Sequence, residues 1–259
     1  MVDCAGIRAS APGQNCSRRV LFCNCSYSQI ISDDAKREIL GGLLASQLDL
    51  VVVPDLCQVA ARRDPLLREL AQAEELAIVA CYPRAVRWLF RWCDVELREE
   101  HVLILNMRVE TPHQILTRLR DASPSTGQTL PSPDRPGAWV PWFPVIDYER
   151  CIACRQCLEF CLFDVYGEDD SGKVVVTNPE RCKTNCPACA RLCPEVAIIF
   201  PKADESPING EDIVEDKLGE ARVRLSLDDI LGENVYATLA QRRALRQRQL
   251  SGSEGRMGE

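Results

Sequence analysis

The spacing of the cysteines constrains this chain more than any other feature of its sequence. Eight of the fifteen cysteines lie between Cys151 and Cys193, in two runs of four. The first run has the spacing C-x2-C-x2-C-x3-C and consists of Cys151, Cys154, Cys157 and Cys161. The second run has one more residue in its first interval, ends just before Pro194 and consists of Cys182, Cys186, Cys189 and Cys193. Thiols grouped at such intervals indicate metal ligands rather than core packing.

Zinc sites and disulfides are the two other uses of clustered thiols. C-x2-C pairs do form zinc sites, but a tetrahedral zinc ion would use only two thiols of each group and leave the third unexplained. Disulfides require an oxidising compartment. The odd number of cysteines, and an N-terminus without a basic-then-apolar signal segment, argue against that setting. The sequence therefore favours metal–sulfur sites and a reducing, cytoplasmic localisation.

Residues 145–201 resemble a two-cluster ferredoxin of the bacterial type. The resemblance implies a small α+β module with internal two-fold repetition that holds two [4Fe-4S] clusters. In that family, three cysteines of each run bind one cluster and the fourth binds the other. The implied ligands of the first cluster are Cys151, Cys154, Cys157 and Cys193. Those of the second cluster are Cys182, Cys186, Cys189 and Cys161.

The sequence departs from the ferredoxin pattern at two places. Leu162 stands where a proline after the first run is usual, so the turn there is less constrained. An insert at 165–179 makes the two halves unequal, and its apolar Val174–Val176 segment predicts a short hairpin between the two cysteine runs. Neither departure removes a ligand.

The first 120 residues show the alternation of an α/β domain. Short apolar runs at 20–23, 48–53, 76–80 and 102–105 predict strands. Between them, a helix capped by Asp33 or Asp34 is predicted to run through Ala45. Apolar residues at intervals of three and four predict two more helices, over 56–73 and over 84–92. This pattern predicts a mainly parallel sheet with helices on its faces.

Four cysteines follow the predicted strands of this domain. Cys23 and Cys25 come at the end of the first strand, Cys57 after the second and Cys81 after the third. Because the carboxyl ends of parallel strands lie along one edge of the sheet, these thiols are expected to converge. A further cluster is one interpretation. Packing as small apolar side chains and a Cys23–Cys25 redox disulfide are the alternatives.

Residues 18–110 resemble the N-terminal domain of heterodisulfide reductase A-type subunits. The resemblance rests on the C-x-C pair, the later single cysteine and the segment from Ala80 to Arg84, which reads A-C-Y-P-R. It implies a thioredoxin-like or flavodoxin-like sheet with a third [4Fe-4S] cluster on Cys23, Cys25, Cys57 and Cys81. No G-x-G-x-x-G motif follows a predicted strand, so neither FAD nor NAD is expected.

Composition divides the remainder of the chain and excludes some partners. Residues 121–143 are rich in Ser, Pro, Gly and Thr and are expected to link the α/β domain to a ferredoxin domain at 144–203. Residues 204–259 contain no Cys, Trp or Phe and are expected to form a helical or partly disordered tail.

The net charge of −7 argues against nucleic acid as a partner. No apolar run approaches the roughly 18 residues that span a bilayer, so no membrane insertion is expected.

These observations predict an iron–sulfur electron-transfer protein or subunit. It would pass single electrons between a donor and a larger oxidoreductase complex, without independent catalysis. A thiol-active or disulfide-active oxidoreductase subunit that uses the N-terminal cysteines is the alternative. A scaffold in which clusters only hold the fold is a third possibility.

Overall fold

The computed structural model describes residues 18–46, 48–120, 130–131 and 139–213. The predicted tail beyond residue 213 and most of the predicted linker lie outside the described residues. Within the described ranges the chain forms an N-terminal α/β domain followed by a small half that carries both cysteine runs.

A parallel sheet forms the centre of the N-terminal domain. Its strands run in the order β4-β3-β1-β2-β5. Their bounds are β1 Arg18–Cys23, β2 Asp49–Val53, β3 Glu75–Ala80, β4 Val102–Asn106 and β5 Leu130–Pro131. The central strand β1 aligns Leu21 with Val51 of β2 on one side and with Ile78 of β3 on the other. Both faces of these strands are buried, which explains their continuous apolar sequences.

Helices cover both faces of this sheet. They are α1 Asp33–Ala45, α2 Leu56–Ala61, α3 Leu66–Ala71, α4 Pro83–Trp92 and α5 Pro112–Arg120. Helix α1 packs against α5, and α2 packs against α4. Gly42 lets α5 come close, because a Cβ there would lie 2.5 Å from the side chain of Leu116. No helix in the described ranges is both long enough and apolar enough to cross a bilayer.

Two helix predictions differ from the structure in detail. Ser32, rather than Asp33 or Asp34, caps α1, since its hydroxyl accepts the Ala35 N–H at 3.3 Å. The helix predicted over 56–73 is two helices, α2 and α3. The break covers residues 62–65, where Arg63 takes a left-handed φ of 50°. Pro65, just before α3, has no N–H to donate and disfavours helical geometry at the residue before it.

The ferredoxin-like half is built from short elements that repeat. They are β6 Val145–Ile146, α6 Gln156–Phe160, β7 Tyr166–Glu168, β8 Val174–Val176, α7 Ala188–Leu192 and β9 Ile198–Ile199. Strands β6 and β9, at the two ends of the half, pair antiparallel. Strands β7 and β8 also pair antiparallel, which confirms the hairpin predicted in the insert.

The two halves share part of one hydrophobic core. Val145 and Ile199 of the ferredoxin-like half, together with Phe143 just before it, are buried among the core residues of the N-terminal domain. Trp92 and Tyr148 pack partly against both cores. The halves therefore bury apolar surface against each other.

A buried ion pair adds a polar contact between the halves. Arg84, near the start of α4, donates from Nε to Asp147 Oδ2 at 2.8 Å and from Nη2 to the Val196 carbonyl at 2.6 Å. Only 9% of the arginine side chain and 5% of the aspartate side chain are exposed. The Asp147 carbonyl in turn accepts the Cys151 N–H at 3.0 Å. Arg84 thus connects the sheet domain to the loop that begins the first cysteine run.

Candidate metal centres

One pocket of the ferredoxin-like half is lined by four thiols, those of Cys151, Cys154, Cys157 and Cys193. The loop of the first run turns tightly, because Ala153 and Arg155 adopt left-handed φ angles of 55° and 65°. Cys193 comes from the other run, at the C-terminal end of α7. The structure therefore places three cysteines of the first run and the last cysteine of the second run around one space.

The other four cysteines of the two runs also lie near one another. Burial raises the pKa of Cys189 to about 12, although a hydrogen bond from Tyr166 lowers it. The neighbouring thiols that add to the rise are those of Cys161, Cys182 and Cys186. Burial, followed by the thiols of Cys161 and Cys186, raises the pKa of Cys182 to about 12. Cys161 lies at the C-terminal end of α6, as Cys193 does for α7. Helices α6 and α7 pack together, so each delivers one thiol to the other group.

Hydrogen bonds reach the sulfur atoms in both groups. The Tyr166 hydroxyl donates to Cys189 Sγ at 3.0 Å, and the Ala197 N–H donates to Cys193 Sγ at 3.3 Å. Such donors orient a ligand and stabilise the thiolate form that binds metal. Each group therefore has at least one donor aimed at a sulfur atom.

The donor set fits an iron–sulfur cluster. None of the thirteen described cysteines forms a disulfide, and thiolate sulfur is the usual ligand of [4Fe-4S] clusters. Across the described ranges, no three His, Cys, Asp or Glu side chains are close enough to hold one metal ion. Two thiolates on one tetrahedral zinc ion lie about 3.8 Å apart. Thiolates around a four-iron cube bind different iron atoms and lie farther apart, so thiol groups without a single-ion site are compatible with a cube.

A third group of thiols lines a pocket at the carboxyl edge of the parallel sheet: Cys23, Cys25, Cys57 and Cys81. Cys23 ends β1, Cys57 lies in the first turn of α2 and Cys81 directly follows β3. After β1 the chain adds β2 on one side of this strand and then β3 on the other side. The carboxyl edge beside such a switch in strand order is where α/β sheets form ligand sites. The structure thus brings together the four N-terminal cysteines that the strand pattern singled out.

Three cysteines of this pocket, Cys23, Cys25 and Cys57, are buried, and Cys81 is half-buried. Burial raises the pKa of Cys81 to about 12, and burial also raises the pKa of Cys23, Cys25 and Cys57. The Leu56 N–H donates to Cys23 Sγ at 3.2 Å. Thiols in such surroundings stay protonated at neutral pH until a metal displaces the protons.

Charged side chains surround the same pocket. Asp55 is fully buried, and its Oδ1 accepts the Gln58 N–H at 3.1 Å as the N-cap of α2. Lys202, which follows β9 in the ferredoxin-like half, lines the pocket and donates from Nζ to the same Oδ1 at 2.8 Å. The other carboxylate oxygen of Asp55 is buried without a hydrogen-bond partner in the described part of the chain. Lys36 Nζ lies 3.4 Å from the Cys25 carbonyl.

Sequence reasoning did not identify Arg84, Asp55 or Lys202 as site residues. Arg84 lies in the A-C-Y-P-R segment, but its spacing alone does not indicate a contact with Asp147. Lys202 is separated from Asp55 by 147 positions in the sequence, and no local pattern marks it. Asp55 lies beside Cys57 as the cap of α2, whereas the packing of the two halves gives Lys202 and Arg84 their partners.

Comparison with known proteins supports the ferredoxin resemblance. A sequence profile described as the 4Fe-4S dicluster domain matches residues 143–217. An uncharacterized ferredoxin of Methanocaldococcus jannaschii is 49% identical over 63 residues, which make up 24% of this chain and 42% of that protein. The chain therefore spans less than half the length of this relative.

Two further relatives are matched over most of their own length. The pyruvate synthase subunit PorD of Methanocaldococcus jannaschii is 32% identical over 65 residues, 25% of this chain and 73% of that protein. Ferredoxin-3 of Nostoc sp. is 35% identical over 75 residues, 22% of this chain and 76% of that protein. Through residues 143–217, the chain belongs to the family of ferredoxins with a 4Fe-4S dicluster domain.

Proposed function

We propose that this protein passes single electrons between a donor and a larger oxidoreductase, as a ferredoxin-type iron–sulfur carrier. The observation that carries the proposal is the pair of four-thiol groups, placed in a half that belongs to the dicluster ferredoxin family. A bound [4Fe-4S] cluster exchanges one electron at a time. The chain's own side chains supply the thiolates and the hydrogen bonds to sulfur.

The proposed ligands follow the crossed arrangement. Cys151, Cys154, Cys157 and Cys193 would hold one cluster, in the pocket that they line together. Cys182, Cys186, Cys189 and Cys161 would hold the other, supported by the mutual influence of these thiols on the pKa of Cys189. The proposed division of the chain is an α/β domain over 1–120, a linker over 121–143, a ferredoxin domain over 144–203 and a tail over 204–259.

The N-terminal domain is proposed to be of the heterodisulfide reductase A type and to hold a third [4Fe-4S] cluster. Its ligands would be Cys23, Cys25, Cys57 and Cys81. Support comes from the strand-end positions of these residues and from the single pocket that all four line.

A chain with Cys57→Ala is expected to lose the third cluster alone. After anaerobic reconstitution, its iron content should fall from about twelve to about eight atoms per chain, by four atoms for each cube. Cys93→Ala is the matched control, because Cys93 is also buried in this domain but donates to the Ala60 carbonyl at 3.4 Å. Equal iron in Cys57→Ala and the unsubstituted chain would contradict the third site.

The alternative, thiol or disulfide chemistry at the N-terminal cysteines, has less support. A reactive thiol is partly exposed and has a lowered pKa. Cys23, Cys25 and Cys57 are buried, with 6%, 7% and 6% exposure, and burial raises the pKa of each. Turnover of a small disulfide by the full chain, lost in Cys25→Ser, would favour this alternative.

Reversible electron uptake tests the carrier function. In an anaerobic coulometric titration, the full chain should take up about one electron for each cluster. Reoxidation by a one-electron acceptor such as cytochrome c should restore the starting absorption spectrum over repeated cycles. Bleaching in the first cycle would instead favour clusters that only hold the fold.

The partner is proposed to be a larger oxidoreductase complex. One matched relative is named as a subunit of pyruvate synthase, which supports a role as a subunit or as a soluble donor to such a complex. Co-purification with tagged chain under anaerobic conditions, followed by identification of any redox enzyme retained, would test this assignment.

A further inference from the structure

Lys202 reaches the N-terminal cysteine pocket from the other half of the chain. It follows β9, two residues after Phe200, and only 4% of its side chain is exposed. It lines the same pocket as Cys25, Cys57 and Cys81. A buried ammonium is costly to desolvate, so its presence beside four thiols requires a compensating negative charge.

Asp55 supplies a negative charge at hydrogen-bond distance from Lys202. Its Oδ1 accepts both the Lys202 ammonium at 2.8 Å and the Gln58 N–H at 3.1 Å. Among the charged side chains other than cysteine, Lys202 acts most strongly on Cys25, Cys57 and Cys81, where it opposes the rise in pKa that burial causes. For Cys23 burial is the main cause of the raised pKa, and the strongest charged influence is Asp55, which raises it further. Lys202 therefore lines the pocket with the four thiols and acts electrostatically on three of them.

Arg108 fixes the segment that carries Lys202. Its guanidinium Nη1 donates to the Ala203 carbonyl at 2.8 Å and to the Pro201 carbonyl at 3.4 Å, one on each side of Lys202. Arg108 also lies over the Tyr82 ring, 5.0 Å from its centroid. Both residues follow strands that end at the cysteine edge. The lysine is thus held in place by the N-terminal domain itself.

We infer that Lys202 is a positioning residue for the third cluster. Its ammonium offsets the negative charge of the four thiolates and raises the reduction potential of the cluster bound there. The inference rests on the third cluster of the proposed function. Reduction adds a further negative charge in a poorly solvated pocket, where a fixed cation at short range is only weakly screened. Since Lys202 follows β9 within the ferredoxin-like half, both halves build this site.

Replacement of each partner of the ion pair tests the inference in the full chain. After anaerobic reconstitution, the potentials of the clusters are measured by redox titration followed by EPR. Lys202→Met should lower the potential of the third cluster, and Asp55→Asn should raise it while preserving the cap of α2, because asparagine also accepts that N–H. The two ferredoxin potentials should stay unchanged. A merely structural role would not shift the two variants in opposite directions.

Two controls complete the experiment. Arg68→Met removes a positive charge from an exposed position of the same domain and should leave the third potential unchanged. Lys202→Arg retains the charge and should keep the potential above that of Lys202→Met. If Lys202→Met loses the cluster outright, Asp55→Asn decides, because an unchanged potential in that variant would overturn the role of the charge pair.

Iron analysis separates this inference from the proposal on which it rests. About eight iron atoms in the unsubstituted chain would overturn the third cluster and, with it, the role of Lys202. About twelve iron atoms, combined with a third potential that does not respond to Lys202→Met or Asp55→Asn, would overturn the role of Lys202 alone.

Discussion

A chain with both Cys154→Ala and Cys193→Ala should lose about four iron atoms and keep one ferredoxin cluster intact, since four irons make one cube. In the crossed arrangement these two residues bind the same cube, which would retain only Cys151 and Cys157. The other cube would keep all of its ligands. Reduced-state EPR should therefore show the loss of one [4Fe-4S] spin relative to the unsubstituted chain.

The matched pair, Cys154→Ala with Cys161→Ala, should leave neither ferredoxin cluster intact. Here each cube loses one ligand, so each either loses iron or is not assembled. EPR should show the loss of both native [4Fe-4S] spins. The two double variants remove the same number of thiols and differ only in which cubes those thiols serve. The opposite pattern, with one intact cluster in Cys154→Ala/Cys161→Ala, would assign each run to its own cluster.

Arg84→Met should destabilise the chain by about 3–5 kcal/mol, the range for breaking a buried ion pair by removing one partner. The substitution leaves the Asp147 carboxylate buried without its cation, and it leaves the Val196 carbonyl without its 2.6 Å donor. Anaerobic urea unfolding, followed by far-UV circular dichroism and by cluster absorption, should show a lower midpoint for both signals.

Arg87→Met is the control for this substitution on the same helix. Arg87 has 47% of its side chain exposed and lies 3.8 Å from Glu99. Such exposed pairs contribute less than about 1 kcal/mol, so its midpoint should stay close to that of the unsubstituted chain. Equal midpoints for Arg84→Met and Arg87→Met would contradict a stabilising role for the buried pair.

Local patterns in the sequence predict the strands well. The segments at 20–23 and 76–80 are short and continuously apolar because both faces of a parallel sheet are covered, and each forms a strand. The prediction of one helix over 56–73 was wrong, because the chain forms two helices with Pro65 just before the second. Proline is a local signal that a helix ends or begins, so the sequence did contain this information. The β5 strand, two residues within the predicted linker, has no sequence signal of its own.

Contacts between distant segments are the part that sequence reasoning did not reach. The convergence of Cys23, Cys57 and Cys81 followed from the rule that parallel strands end at one edge. No comparable rule predicts the partners of Lys202 and Arg84, because these contacts depend on how the two halves dock. Charge or spacing around either residue does not identify a buried partner more than 60 positions away.

The apolar contact at Phe143, Val145 and Ile199 bears on motion within the chain. Domains joined by small, polar interfaces move relative to each other by default, whereas a large apolar interface suppresses such motion. Here side chains from β6 and β9 are embedded in the core of the sheet domain. Under the proposed function, an electron that passes between a cluster in each half would therefore cross one fixed distance, without movement of one half relative to the other.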